Sequence, residues 1–224
     1  MRTWLRDQSL SLFFLVLFVA SLAGQSYAGY LKYNDELSEH GDPLISWGRY
    51  VVSSEYGQAV MENWQSEFLQ FLTFIAATIW LVQRGSNESK QSDEIGLESD
   101  QAQRVKGYAD DNSPAWAKAR DVRLWLYSNS LLIVMALGFF GSWFASSVTA
   151  WTDYNANQID HQQPALGWWD YVLSPDFWER TLQNWQSEFL AVGVMAAFTI
   201  YLRQRGSPES KPVGAPHEET GTSG

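Results

Sequence analysis

Apolar residues come in long blocks along this chain, with charge confined between them. Residues 8–31 and 124–152 carry no formal charge over 24 and 29 positions. About 20 helical residues cross a hydrocarbon core of roughly 30 Å, so each block predicts a transmembrane helix. Two shorter charge-free blocks, 68–83 and 189–202, hold 16 and 14 residues and predict two more spans. The mean hydropathy of −0.24 does not conflict with this, because polar loops and tails dilute the apolar spans.

A repeat organises these blocks. Asn63-Trp64-Gln65-Ser66-Glu67-Phe68-Leu69 recurs as Asn184-Trp185-Gln186-Ser187-Glu188-Phe189-Leu190, an offset of 184 − 63 = 121. The same offset pairs Trp4 with Trp125, Tyr33-Asn34 with Tyr154-Asn155, His40 with His161, Trp47 with Trp168 and Arg84-Gly85-Ser86 with Arg205-Gly206-Ser207. Of the 89 pairs from Arg2/Arg123 to Lys90/Lys211, 34 are identical without a gap. Identity in the polar loops is not explained by shared apolar composition. Each copy reads as helix, loop of about thirty residues, helix. Two spans per copy give both copies one orientation, the parallel kind of membrane repeat. The expected fold is therefore all-α, a four-helix transmembrane bundle made of two tandem two-span repeats. Its parts are repeat one over 1–90, an acidic linker with a surface helix over 91–121, repeat two over 122–211, and a disordered tail over 212–224.

The start of the chain resembles a cleavable signal, with Arg2 and Arg6 before an apolar run and Ser26-Tyr27-Ala28 before Gly29. Its aligned partner lies mid-chain, where no such signal acts, so the first span is expected to be retained. Orientation follows from basic residues. Placing the N-terminus, linker and tail on one side collects twelve Lys and Arg there and leaves only Lys32, Arg49 and Arg180 opposite. The positive-inside rule then puts both termini in the cytoplasm of a bacterial cell, with the protein in the inner membrane and the His40 and His161 loops outside.

Composition narrows the chemistry. The chain has no cysteine, which removes disulfides, thiolate catalysis and cysteine-held metal clusters. A net charge of −10 argues against a nucleic-acid partner, since phosphate binding needs clustered Lys and Arg. Twelve Trp and ten Tyr fit interfacial anchoring. No phosphate loop, nucleophile triad or redox motif occurs, which leans away from an enzyme, and no cofactor is expected. In the linker, 114–123 reads as a short helix lying on the inner surface, with Trp116 toward lipid and Lys118 and Arg120 toward headgroups. Ser53 and Ser174 read as N-caps of the second helix of each copy, Pro175 taking the first helical position.

The repeated motif supplies the candidate functional residues: Asn63, Gln65, Ser66 and Glu67, with Asn184, Gln186, Ser187 and Glu188. Asn63 and Glu67, four apart, share a helix face, as do Asn184 and Glu188. The last charge-free block covers only about 21 Å as a helix, which draws Glu188 toward the membrane boundary. If the faces meet, two carboxylates approach in a partly dehydrated place and one tends to keep a proton. That supports a site for a proton, cation or small solute. The structural alternative is that Glu complements the helix dipole while Asn, Gln and Ser bridge neighbouring helices. His40 and His161 are weaker candidates, each a lone histidine without metal-ligand spacing. Ala20, Gly24 and Ala28, and their partners Gly141, Ala145 and Thr149, form small-residue stripes expected to pack helix against helix.

With these residues in view, the chain resembles a family of uncharacterised bacterial membrane proteins whose defining domain has no assigned function. The resemblance rests on the Tyr-Asn opening each outer loop, the His-Gly-x-Pro pattern, Asn-Trp-Gln-Ser-Glu-Phe-Leu, and the Arg-Gly-Ser-x-Glu-Ser-Lys ending. His161-Gln162-Gln163-Pro164 departs from it at the glycine. It implies membrane residence and duplication, and it brings no activity. The reading that follows is a non-enzymatic envelope protein whose outer aromatic loops bind a membrane or envelope protein, a second copy of itself, or lipid. The alternative is a small proton, cation or solute transporter using Glu67 and Glu188.

Overall fold

The computed structural model describes residues 2–221, and every regular element among them is helical. The order is α1 (Arg2–Asp7), α2 (Ser9–His40), α3 (Trp47–Tyr50), α4 (Ser54–Trp80), two 3-10 turns at Lys106–Tyr108 and Ala115–Lys118, α5 (Val122–Ser128), α6 (Ser130–Asp160), α7 (Trp168–Val172) and α8 (Pro175–Tyr201). Two of these, α2 and α6, are long and apolar enough to cross a membrane. Their large apolar side chains stand away from protein, with Leu10 71% and Leu137 69% exposed. The 27-residue helices α4 and α8 are about 40 Å long, but their polar stretches keep them below that apolar threshold.

The expected thirty-residue loops are shorter than the charge pattern suggests. Helix α2 continues through residues 32–40 and α6 through 153–160, where polar side chains sit on helical backbone. Lys32 pairs with Glu36 one turn on, at 3.1 Å, which is compatible with a solvated helical extension. The N-terminal breaks match at the repeat offset: Gln8 lies at φ −111°, ψ 11°, and Asn129 at φ −113°, ψ 8°.

The expected surface helix over 114–123 is not formed. Pro114 opens a 3-10 turn that ends at Lys118, and Asp121 restarts the chain by accepting from the Arg123 N–H as the N-cap of α5. An N-cap has extended backbone, so Asp121 cannot also sit inside a helix. Of the small-residue stripes, Thr149 lies against another helix, its Cγ2 3.0 Å from where a Cβ on Gly57 would sit, while the stripe glycines stand open. A Cβ on Gly24 or Gly141 would meet nothing within 4 Å, whereas one on Gly29 would overlap the Tyr50 ring and one on Gly138 would lie 2.7 Å from Phe68.

The chain divides into two compact units, Met1–Met61 with Ala145–Asp170, and Glu62–Phe144 with Tyr171–Gly224, so each takes segments from both halves of the sequence. In the first unit, side chains close the outer loops. The Asn34 amide donates to the Ile45 carbonyl (3.0 Å) and accepts its N–H (2.9 Å), and Asn155 does the same with Leu166 at 2.9 and 2.8 Å. Trp47 Nε1 donates to Ser26 Oγ at 3.3 Å, and Trp168 Nε1 to Ser147 Oγ at 3.2 Å. All four residues of each set are related by 121.

In the second unit, Phe139, Trp143, Phe177, Trp178 and Trp185 form one aromatic cluster with ring centroids 5.8–6.5 Å apart. Residues 212–221, expected to be disordered, have defined bonds here, described below; 222–224 lie outside the described residues.

Candidate functional site

Helices α4 and α8 bring the two motifs together in the second unit, but not as equals. In the first motif Gln65 and Ser66 are each 1% exposed, while Gln186 and Ser187 of the second are exposed. Gln65 is held because its Oε1 accepts from Trp185 Nε1 at 2.8 Å. Ser66 Oγ approaches Glu188 Oε1 at 3.4 Å and the Asn63 carbonyl of its own helix at 2.9 Å. Asn184 Nδ2 donates to Glu62 Oε1 and to the Arg180 carbonyl, both at 3.0 Å. Ser187 Oγ bonds back to the Asn184 carbonyl at 2.8 Å. Asn63 and Glu67 lie on exposed positions of α4, and Glu188 is half-buried.

The bonds of this cluster join one helix to the next, or a helix to itself. Glu62, one residue before the motif, is a partner that the offset does not mark, because position 183 holds Gln. Just outside, Tyr171 is 1% exposed and donates to Asp176 Oδ2 at 3.1 Å. Burial, then the Asp176 carboxylate, raises its phenol far above the ordinary tyrosine range.

The two loop histidines behave alike. His40 Nδ1 lies 2.8 Å from the Glu36 carbonyl and His161 Nδ1 2.8 Å from that of Asn157, each closing the last turn of its helix. Among the described residues no three His, Asp or Glu side chains gather as a metal centre would require.

The Arg-Gly-Ser-x-Glu-Ser-Lys endings turn out to be a second organised place. Ser89 Oγ accepts from the Gln83 N–H at 2.8 Å and Ser210 Oγ from that of Gln204 at 2.9 Å, folding each segment back after α4 and α8. Lys211, only 1% exposed, donates to the carbonyls of Gly85 (2.6 Å), Pro216 (3.2 Å), His217 (2.9 Å) and Glu219 (2.9 Å). Burial lowers its ammonium from the usual lysine range. The signal available in the sequence was the repetition of this polar segment outside any span.

A family described as a domain of unknown function, DUF6766, matches residues 1–222. No curated protein and no solved structure matches the chain.

Proposed function

We propose, for a chain that belongs to the DUF6766 family and takes no assigned activity from it, a non-enzymatic protein of the bacterial inner membrane. In this reading α2, α4, α6 and α8 all span, both termini are cytoplasmic, and the two outer loops present an aromatic surface to an envelope partner or lipid. One observation carries it: each loop is braced from within by its asparagine while large apolar side chains remain outward. Asn34 and Asn155 hold Ile45 and Leu166, yet Leu44 (64%), Val52 (81%), Trp169 (70%) and Leu173 (76%) are exposed. A preorganised loop loses less conformational freedom on binding, so such a surface favours recognition. The apolar exposure of α2 and α6 supports the membrane setting, because contiguous exposed apolar surface needs something to cover it.

Reporter fusions after Arg84 and after Lys211 should both read cytoplasmic, and one after Gln163 external. An external reading at either of the first two overturns the four-span topology. A photo-crosslinking residue at 169 or 173 should give adducts in intact cells that one at 98, in the linker, does not; equal labelling would remove the loops from recognition.

The transport reading draws on the meeting of α4 and α8 at Ser66 and Glu188. It requires that Glu67→Gln and Glu188→Gln alter proton or cation flux in vesicles, and non-additively when combined. Flux that survives in the double variant would end it.

A further inference from the structure

Beneath the motif cluster, the second unit contains a half-open groove of about 180 Å³, with Phe71 and Met195 partly exposed on its walls, whose lining is paired throughout at the repeat offset. Phe71 faces it with Val192, Phe74 with Met195, and Glu88 with Glu209, each pair differing by 121. The remaining pair, Gln70 and Ala191, adds one amide. A groove lined this way is what an axis relating the two copies would produce.

The glutamates are delivered by the folded-back endings. The Glu88 N–H donates to Ser86 Oγ and the Glu209 N–H to Ser207 Oγ, both at 3.2 Å, so the same local turn presents each carboxylate. The two face the same space from opposite endings. Burial first, and the Glu209 charge next, raise the Glu88 carboxyl above its ordinary range.

The chemistry of the lining selects its occupant. An anion would meet like charge. A divalent metal wants six or more oxygen ligands, or several retained waters, whereas the walls here are Phe, Val, Met and Ala carbon. An enclosed apolar cavity of roughly 150 Å³ accepts benzene, and this groove, of similar volume and open on one side, has room for a ring and a short arm. We infer that Glu88, Glu209 and the apolar walls between α4 and α8 form a binding site for a small organic ammonium ion with an aryl or alkyl body. The ammonium donates to the carboxylate pair and the body lies against Phe71, Phe74 and Met195. Neither proposed function above assigns this site.

The test uses the full chain in phosphatidylcholine nanodiscs with 4-fluorophenethylammonium as the probe, followed by fluorine NMR against protein-free nanodiscs. Saturable broadening is expected. The alcohol of the same shape, 2-(4-fluorophenyl)ethanol, should bind at least about tenfold more weakly, because it lacks the charge that strengthens the hydrogen bonds. This arm needs no variant. Glu88→Gln combined with Glu209→Gln should weaken the amine at least about tenfold while leaving the alcohol unchanged. Met195→Trp, which fills the groove without touching a charge, should abolish binding of both with helicity retained by circular dichroism. The site is overturned by no saturable binding to the parent chain, by equal affinity for amine and alcohol, or by amine binding that survives either variant.

Discussion

Gln162 stands at φ 56° in the left-handed position that Gly41 takes at φ 76°, 121 residues earlier, and both end a long helix. At each site the next residue bonds back to a helix carbonyl, Asp42 N–H to Leu37 at 2.8 Å and Gln163 N–H to Gln158 at 2.7 Å. Gln162 therefore makes the glycine turn without the glycine. A side chain in this region costs on the order of 1 kcal/mol relative to Gly. Gln162→Gly should accordingly stabilise the protein by about that much, and Gly41→Ala should destabilise it similarly. Thermal unfolding in detergent checks both; a Gln162→Gly variant that melts lower would contradict the shared turn.

Gln65 and Gln186 hold the same place in the two motifs but differ in surroundings. Gln65 is buried under Trp185 Nε1, while Gln186 is exposed. Gln65→Leu leaves the indole N–H without its acceptor and should cost about 1–3 kcal/mol. Gln186→Leu should stay within about 0.5 kcal/mol of the parent. Equal losses in melting experiments would mean that the motif acts symmetrically.

Glu88 makes stability depend on pH with a definite sign. Its carboxyl is raised in the folded chain by burial and by Glu209, against a smaller lowering by Asn87, whose Nδ2 donates to it at 3.3 Å. Above its ordinary value of 4.5 the unfolded chain has released a proton that the folded chain still holds. The contribution to stability is thus largest below that value and falls as pH rises through the window above it. Melting temperatures taken across this window should decline with pH in the parent, and Glu88→Gln should flatten the decline. An unchanged slope would remove Glu88 as its source.

Lys211 ties the C-terminal segment down through four backbone carbonyls, and Gly85 N–H to Thr220 Oγ1 (2.8 Å) adds to the tie. Lys211→Met removes every donor of that ammonium. Limited proteolysis should then cut within residues 212–221 several times faster, with the helices intact. Arg84→Ala should do little, because the Arg84–Glu218 pair at 2.6 Å is exposed on both sides and surface pairs contribute little. Faster cutting in Arg84→Ala than in Lys211→Met would reverse the assignment.

Much of this protein is legible in its sequence, and the legible part is local. Charge-free length marked α2 and α6, Ser53 and Ser174 marked the starts of α4 and α8, and the 121-residue offset had already placed Asn34 opposite Asn155. These depend on what each residue does to its own backbone and near neighbours. Tertiary structure decided the rest. It extended α2 through charged residues 32–40, which a hydropathy pattern reads as loop because solvated helix and loop are equally polar. It buried Gln65 and left Gln186 exposed, although their local sequences are identical, because Trp185 covers only one of them. It also brought Glu88 and Glu209 to one groove and Lys211 to Gly85, over separations of 121 and 126 residues. Neither meeting follows from local pattern, since the pairing of distant surfaces depends on how helices pack.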